Sequence, residues 1–231
     1  MKVWLSFLLA AVCGGTRYVR HSVHQKGFRT LQQEKSNLRW PSSSAIAVEF
    51  FVMSKCPDAK LCEETFLPVL QDLTELVTVN FTYIADVTRE EPASVRCMHG
   101  PEECMGNSQR LCVQRAGNAT DLRFAKCQDS GTIPGNGKAC AVAAGFTAAE
   151  LEDLEACWSG ALGQALLRES AKRASALSVT TSCTLQVGNK DFCIHDGGWR
   201  NCGSCGSDKA ACLKAKVCEL SGHARKSELC A

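Results

Sequence analysis

The sequence begins with an apolar stretch that is too short to span a membrane. This stretch, Val3 to Cys13, falls well short of the about 20 residues that cross roughly 30 Å of hydrocarbon. It follows Lys2 and ends in small residues, which is the pattern of a cleaved secretory signal. We therefore predict a signal peptide over residues 1–15. Arg17 and Arg20 on its far flank leave open a short amphipathic or anchoring segment instead.

The chain also lacks a large excess of charge of either sign, because 26 basic residues nearly balance 24 acidic ones and leave a net charge of +2. This balance says little about partners, and no nucleic-acid partner is predicted. Acidic residues are scarce in residues 16–44, a polar and basic stretch with a single acidic residue, Glu34. Such a stretch cannot form a core and is predicted to be a flexible arm or pro-segment. Contact of this arm with a membrane or an acidic surface is the less favoured alternative.

Cysteine, by contrast, is abundant, with 16 in 231 residues. Thiols at this density bind metals in a reducing cytosol, whereas they pair as disulfides in an oxidising compartment. The predicted signal peptide favours the second interpretation and transport into the secretory pathway. Two sequons, at Asn80 and Asn118, agree with that route. Asn118, in a polar loop, is the better glycosylation candidate, and Asn80 is expected on the exposed face of a strand.

Residues 45–231 are long and apolar enough for one compact domain. Ala45 to Met53 and Val77 to Tyr83 have the composition of β-strands. Between them, Pro57 and Asp58 favour a helix that begins directly after Cys56. A strand, a cysteine at the turn, a helix and a second strand form the opening of a thioredoxin-like α/β fold.

A helical insertion is predicted over about residues 88–176. Thr147 and Glu150 have the spacing of a capping box at the start of one of its helices. Its cysteines are expected to stabilise the insertion through structural disulfides; they are Cys127, Cys140 and Cys157.

Cys56 stands where a reactive thiol belongs in this arrangement. The first N–H groups of a helix lack intrahelical partners and stabilise a thiolate, which is the nucleophile of disulfide exchange. In thioredoxin-like reductases a second cysteine follows three residues later, but that position is Ala59 and the next cysteine is Cys62.

The C-x5-C spacing limits how Cys56 and Cys62 can interact. Six residues of regular helix rise about 9 Å and rotate about 600°. The two cysteines can therefore bridge only if the segment between them is irregular and the helix begins near Cys62. A redox pair, a plain stabilising disulfide and two unrelated bridges all stay open.

The most specific pattern in the chain is CMHGPEECMGNSQRLC, between Cys97 and Cys112. It resembles the signature of the gamma-interferon-inducible lysosomal thiol reductase family, which reads C-Q-H-G, two residues, E-C, two residues, N, four residues, C. Met98 replaces the usual Gln. The matching residues are Cys97, His99, Gly100, Glu103, Cys104, Asn107 and Cys112.

The resemblance extends over roughly residues 45–231 and implies a thioredoxin-like core with a cysteine-rich helical insertion. It also implies a reductase of disulfide-containing protein substrates, secreted or in a lysosome or vacuole. No cofactor is expected, because electrons would come from a small thiol.

Within the signature, His99 is either a general base or a turn residue that satisfies local backbone groups, and the turn is favoured. The three cysteines are expected to be structural. Asn107 is expected to cap a short helix that carries Cys112.

Cys183 matches a position at which members of this family commonly carry a cis-proline facing the reactive cysteine. The resemblance therefore implies that Cys183 lies close to Cys56, as its resolving thiol, its disulfide partner or a metal ligand. A bridge from Cys183 to Cys193 across a hairpin is the alternative.

The C-terminal cysteines include a second candidate redox motif, Cys202-Gly203-Ser204-Cys205. It follows the last predicted strand, so no core scaffold presents it, and structural disulfides are favoured over redox activity. A zinc site formed with Cys212 and Cys218 is the less favoured alternative, and no metal is predicted. The resemblance further implies a bridge between Cys218 and Cys230.

Two functions follow from the sequence. The leading hypothesis is a thiol reductase with Cys56 as the attacking thiolate and Cys62 as the resolving thiol. The alternative is a disulfide-rich binding or structural module that kept the fold and lost the chemistry.

Overall fold

The computed structural model describes residues 45–88, 94–117, 120–221 and 229–230. The predicted signal peptide (1–15), the predicted arm (16–44) and Asn118 lie outside these residues. Within them, no helix combines the length and the apolar character that crossing a membrane requires.

A five-stranded mixed sheet forms the centre of the fold. Its first strand, β1, pairs parallel with β2 on one side and antiparallel with β5 on the other. β5 and β6 then pair antiparallel, as do β6 and β7. The strand order is β2-β1-β5-β6-β7, for β1 (Ile46–Val52), β2 (Val77–Tyr83), β5 (Thr184–Val187), β6 (Lys190–His195) and β7 (Trp199–Arg200).

β1 is buried on both faces, which explains its nearly continuous apolar sequence. Helix α1 (Pro57–Asp72) returns the chain from β1 to β2, as a parallel pair requires. Its buried face, which includes Phe66 and Leu70, packs with β1 and with the C-terminal helix α7 (Lys209–Leu220) in one hydrophobic cluster.

The predicted helical insertion lies between two short paired strands and β5. The strands are β3 (Asp86–Val87) and β4 (Val95–Arg96). The insertion has its own hydrophobic cluster, which includes Phe124 and Trp158. Its helices are α2 (Pro101–Ala116), α3 (Thr120–Asp129), α4 (Gly137–Ala144), α5 (Ala148–Ser159) and α6 (Ala161–Ala176).

The predicted capping box at the start of α5 is confirmed. Thr147 Oγ1 accepts a hydrogen bond from Glu150 N–H, and the Glu150 carboxylate accepts one from Thr147 N–H at 2.8 Å.

The insertion also covers the outer edge of the sheet. The Gln114 side chain on α2 accepts a hydrogen bond from Phe81 N–H at 2.6 Å and donates one to Phe81 O at 3.3 Å. An edge strand with satisfied backbone groups is protected from pairing with another chain. Asn80, next to Phe81, is half-buried rather than exposed, and its glycosylation stays a prediction.

A buried ionic cluster joins α1 to the insertion. The Arg110 guanidinium on α2 donates to Glu63 of α1 at 2.6 Å and to Asp129 at the end of α3. Its Nε donates to Gln128 at 2.9 Å. All four side chains are buried. Because buried charges are unfavourable unless they are paired, these contacts fix the three helices relative to one another.

The cluster has two carboxyl groups for one guanidinium, so full ionisation would leave an excess negative charge. One oxygen of Glu63 and one of Asp129 have no hydrogen-bond partner among the described residues. Burial raises the pKa of Glu63 well above its ordinary 4.5; Arg110 opposes the increase, and Asp129 adds to it. Glu63 therefore takes up a proton at a higher pH than an ordinary carboxyl group does.

This raised pKa predicts that the protein loses stability as the pH rises. Folded Glu63 keeps a proton that the unfolded carboxyl has lost, so a higher pH favours unfolding. The loss starts near the ordinary value of 4.5 and continues up to the folded pKa. Each unit between the two values is worth about 1.4 kcal/mol. Denaturant unfolding between about pH 4.5 and about pH 7.5 measures this slope.

Glu63→Gln should remove most of this pH dependence, because an amide does not titrate. Glu152→Gln, on the exposed face of α5, is the matched control and should keep the wild-type slope. Equal slopes for Glu63→Gln and the wild type would contradict the assignment of the proton to Glu63.

Candidate active site

Cys56 lies at the turn between β1 and α1. It is the N-cap residue of the helix, with extended backbone angles (φ −78°, ψ 127°), and Pro57 occupies the first helical position. Its N–H donates to Met53 O at 2.9 Å, which closes the turn. The side chain is half-exposed, and Cys56 is the free cysteine of the described residues. The structure therefore presents one accessible thiol at the N-terminus of a 16-residue helix.

Cys62 does not bridge to Cys56. The helix begins at Pro57, so the segment between the two cysteines is regular and they lie on different faces. Cys62 is fully buried and forms a disulfide with Cys183, with their Cα atoms 6.3 Å apart. The helix begins directly after Cys56, as predicted, so the irregular segment that a Cys56–Cys62 bridge requires is not present. A bridge between Cys56 and Cys62, one of the alternatives left open by the sequence, is wrong for this structure.

Cys183 lies beside the Cys56 turn. It follows Ser182 through a cis peptide bond, just before β5. The Cys56 thiol donates to Ser182 O at 3.8 Å, and Ser182 Oγ accepts from Met53 N–H at 3.0 Å. The expected alternative, a Cys183–Cys193 bridge, is wrong, because Cys193 bonds to Cys202.

Asp58 and His195 add a second link between the helix and the Cys183 segment. Asp58 Oδ1 lies 2.6 Å from His195 Nδ1 and accepts from Gly197 N–H at 2.9 Å. His195 in turn exchanges both backbone hydrogen bonds with Cys183, at 3.0 and 3.1 Å. Sequence reasoning missed His195, which lies 137 residues from Asp58.

The signature helix α2 holds the other side of the Cys56 turn. Asn107 Oδ1 accepts a hydrogen bond from Ser54 N–H at 3.0 Å. Ser54 Oγ donates to Glu103 O at 3.2 Å. Gly106 leaves room for this contact, since a Cβ there would lie 2.7 Å from Ser54 Oγ. The signature therefore braces the turn that carries the free thiol.

Asn107 was expected to cap a short helix, and this expectation is wrong. α2 is one helix of 16 residues, and Asn107 lies in its interior with its side chain fully buried. The residue faces Ser54 through its oxygen and Cys97 Sγ, at 3.7 Å, through its nitrogen.

An ion pair on the surface links the same two segments. Lys55 Nζ lies 2.5 Å from Glu102 Oε2. The hydrogen bond from Lys55 holds the pKa of Glu102 below its ordinary value of 4.5. Lys55 directly precedes Cys56, so this pair ties the Cys56 turn to the first turn of α2.

The remaining signature residues build a compact N-terminus for α2. Cys97 and Cys104 form a disulfide. Gly100 has φ 85°, a conformation that favours glycine, and is the N-cap residue. His99 Nδ1 contacts the carboxylate of buried Glu103, which also accepts from His99 N–H at 3.4 Å. The ring of His99 thus contacts a buried carboxylate and not the backbone groups that a turn role predicted, and the role of His99 stays a prediction.

The other cysteines of the described part form disulfides. Cys202 and Cys205 do not bridge to each other. The proposed zinc ligands are all used in disulfides, which removes the thiolates that zinc needs. The expected Cys218–Cys230 bridge is present. The bonds are Cys112–Cys157, Cys127–Cys140, Cys193–Cys202, Cys205–Cys212 and Cys218–Cys230.

A groove of about 670 Å³ is lined by residues 84–87, which follow β2, and by the end of α6 with the segment after it. Ile84 and Ala174, which line it, belong to a small hydrophobic cluster against which Cys56 and Val179 pack. Lys172 and Asp86 supply charges at its surface. The groove therefore has a lining of mixed polarity and shares a hydrophobic cluster with the Cys56 side chain.

The family comparison agrees with the signature. Residues 47–144 match the family model described as gamma interferon inducible lysosomal thiol reductase. A curated relative, GILT-like protein 1 of Drosophila melanogaster, is 34% identical over 77 residues. That alignment spans 31% of this chain and 31% of the relative.

The comparison with solved structures concerns the fold. The reduced disulfide bond oxidoreductase DsbG of Mycobacterium tuberculosis is 17% identical, over 80% of this chain and 87% of that chain, with a TM-score of 0.53. BdbD of Bacillus subtilis is 13% identical, over 78% and 90%, with a TM-score of 0.55. At these identities the likeness shows the fold alone, and it confirms a thioredoxin-like core with a cysteine-rich helical insertion.

The family match over residues 47–144 includes both the Cys56 turn and the signature helix. The resemblance drawn from the signature to the gamma interferon inducible lysosomal thiol reductase family is thereby confirmed.

Proposed function

We propose that the protein is a thiol-disulfide oxidoreductase that reduces disulfides of protein substrates, with the Cys56 thiolate as its nucleophile. One observation carries the proposal. Cys56 is the cysteine that stays free among the described residues, half-exposed at the N-terminus of α1, while the others are paired. N–H groups of the first helical turn favour an anion at this position.

The reaction is a pair of thiol-disulfide exchanges. The Cys56 thiolate attacks one sulfur of the substrate disulfide, forms a mixed disulfide and releases the other sulfur as a thiolate. A second thiol then attacks Cys56 and releases the reduced substrate. Cys62, the resolving thiol predicted from the C-x5-C spacing, is bonded to Cys183 here and can act only after reduction. Whether Cys62 or an external thiol releases the substrate, the electrons come from a small-thiol reductant.

The surroundings of Cys56 support this chemistry. The groove lined by Ile84 and Val179 gives a polypeptide a surface to lie on while its disulfide reaches the thiol. The contacts of Ser54 with Asn107 and Glu103 hold the backbone next to Cys56. A fixed nucleophile loses less freedom when the substrate binds.

A secretory or lysosome-like compartment is part of the proposal. Paired cysteines persist in oxidising surroundings and are rare in the cytosol. The described residues contain seven disulfides. The predicted signal peptide and the family's description as lysosomal point the same way.

A second candidate function is a disulfide-stabilised binding module without catalysis. The bond between Cys62 and Cys183 favours it, because this bond leaves Cys56 without a free cysteine partner among the described residues. Under this alternative the groove would bind a protein partner, and the Cys56 thiol would have no catalytic role.

Replacing Cys56 tests the reductase directly. Cys56→Ser should reduce a disulfide-linked two-chain protein at least about 100-fold more slowly than the wild type, because the hydroxyl is a far weaker nucleophile. Chain release in the presence of a small thiol, at acidic and neutral pH, measures the rate.

The double variant Cys205→Ser, Cys212→Ser is the control. It removes a disulfide near α7 and leaves the Cys56 turn unchanged, so its rate should match that of the wild type. A folded wild type that does not exceed the small thiol alone at either pH would favour the binding module.

Asn107 is predicted to position the Cys56 turn. Asn107→Ala removes the acceptor of the buried Ser54 N–H, which is expected to destabilise the protein by about 1–3 kcal/mol. Because the backbone next to the thiol is no longer fixed, we expect the rate of substrate reduction to fall by about tenfold. Thermal unfolding and chain release measure the two effects.

Ser108→Ala, the neighbouring buried position on α2, is the matched control. It leaves the contact between Ser54 and Asn107 intact. If both variants reduce the substrate at the same rate, Asn107 does not position the turn.

A further inference from the structure

A buried disulfide lies next to the accessible thiol. Cys62 and Cys183 are each 0% exposed, whereas Cys56 is half-exposed. Cys56 Sγ lies 3.8 Å from Ser182 O, in the peptide group that joins Ser182 to Cys183. Cys56 also packs against the hydrophobic cluster that contains both bonded cysteines. The thiol and the disulfide therefore belong to one site.

Burial decides how this disulfide can react. Thiol-disulfide exchange requires a thiolate to approach one of the two sulfurs directly. A small thiol in solution cannot do so at Cys62 or Cys183, because neither side chain is exposed in the folded protein. Cys56 can be reached from solution and has the Cys183 segment beside it.

We propose that Cys56, Cys62 and Cys183 form a three-cysteine relay in which Cys56 connects the buried disulfide with the outside. Cys183 is thereby a further redox residue of the site. The proposal rests on the reactivity of Cys56 assumed in the proposed function, and it adds a path for the electrons.

Reduction of the buried bond begins inside the protein. The Cys56 thiolate attacks Cys183 Sγ, so that a Cys56–Cys183 bond forms, the Cys62–Cys183 bond breaks and Cys62 leaves as a thiolate that takes up a proton. A small thiol then attacks Cys56 and releases Cys183 as a thiol. A second small thiol frees Cys56 and forms the oxidised small disulfide. Two small thiols thus give their electrons to Cys62 and Cys183.

Substrate reduction runs the same exchanges in the opposite direction. Cys56 forms the mixed disulfide with the substrate, and Cys183 attacks Cys56 to release the reduced substrate. Cys62 then attacks Cys183, which restores the Cys62–Cys183 bond and frees Cys56. The oxidised end state is the arrangement seen in the structure, with a bonded Cys62–Cys183 pair and a free Cys56 thiol.

Disulfide mapping of the folded, full chain tests the relay. The protein is incubated with reduced glutathione, quenched with acid, unfolded and alkylated, and each bond is quantified by mass spectrometry of peptides. The reference is Cys112–Cys157, which lies in the separate cluster of the insertion and whose Cys157 is half-buried, so that burial alone would favour its faster reduction. In the wild type, Cys62–Cys183 should be reduced at least tenfold faster than Cys112–Cys157.

Cys56→Ser should slow the reduction of Cys62–Cys183 at least tenfold and leave that of Cys112–Cys157 unchanged. An unchanged rate for Cys62–Cys183 in Cys56→Ser would overturn the relay. Cys62→Ser provides an independent test, because Cys183 then has Cys56 as its neighbour. This variant should form a Cys56–Cys183 disulfide on mild oxidation, and the relay fails if both cysteines can still be alkylated.

These outcomes separate the relay from the proposed function. Efficient substrate reduction with an inert Cys62–Cys183 bond overturns the relay and leaves Cys56 as a reductase that acts with external thiols alone. Fast, Cys56-dependent opening of Cys62–Cys183 without reduction of the protein substrate supports the relay and contradicts the proposed substrate class.

Discussion

The position at which α1 begins determines which sulfur atoms can meet. Because the helix is regular from Pro57 onward, Cys62 is turned away from Cys56 and into the core. There it reaches Cys183, which the sheet holds at the start of β5. If the first turn of α1 were irregular, Cys56 and Cys62 could form a disulfide, and Cys183 would lose Cys62 as its partner. The position at which the helix begins therefore determines that Cys62 and Cys183 form a disulfide while Cys56 keeps a free thiol.

Two buried polar networks, both formed by side chains of α2 in the insertion, hold α1 and the Cys56 turn in place. Arg110 binds Glu63, the residue directly after Cys62, so α1 is anchored to α2 about two turns from its N-terminus. Asn107, three residues earlier on α2, binds the turn itself through Ser54. Buried hydrogen bonds of this kind depend strongly on geometry, so they fix α2 relative to α1 and to the turn. The insertion thus acts as a support for the Cys56 turn.

Much of the fold could be predicted from local sequence. The apolar run of β1, the Pro57 and Asp58 pair and the capping box at Thr147 each reflect interactions within a few residues. The position of Cys56 at a helix N-terminus followed from the same signals. The signature identified the family, although its spacing alone did not reveal that Asn107 faces the turn.

The rest of the site depends on contacts between distant segments. Cys62 and Cys183 are 121 residues apart, and Asp58 and His195 are 137 residues apart. No periodicity within either segment encodes such a pairing, and cysteine spacing does not determine connectivity. The role of Asn107 was missed for a related reason, because a cap and an interior helix position differ only in where the helix starts.

A protein that reduces the disulfides of its substrates must leave its own structural disulfides intact. The described residues contain seven such bonds, and the structure places the free thiol beside the Cys62–Cys183 pair. Cys112–Cys157 and Cys127–Cys140 belong to the insertion, and Cys112 and Cys140 lie in its separate hydrophobic cluster. Since exchange requires contact between a thiolate and a disulfide, packing in a cluster that does not include Cys56 separates these two bonds from the thiol. The requirement for contact that would make Cys62–Cys183 the partner of Cys56 in the proposed relay thus leaves the two bonds of the insertion outside it.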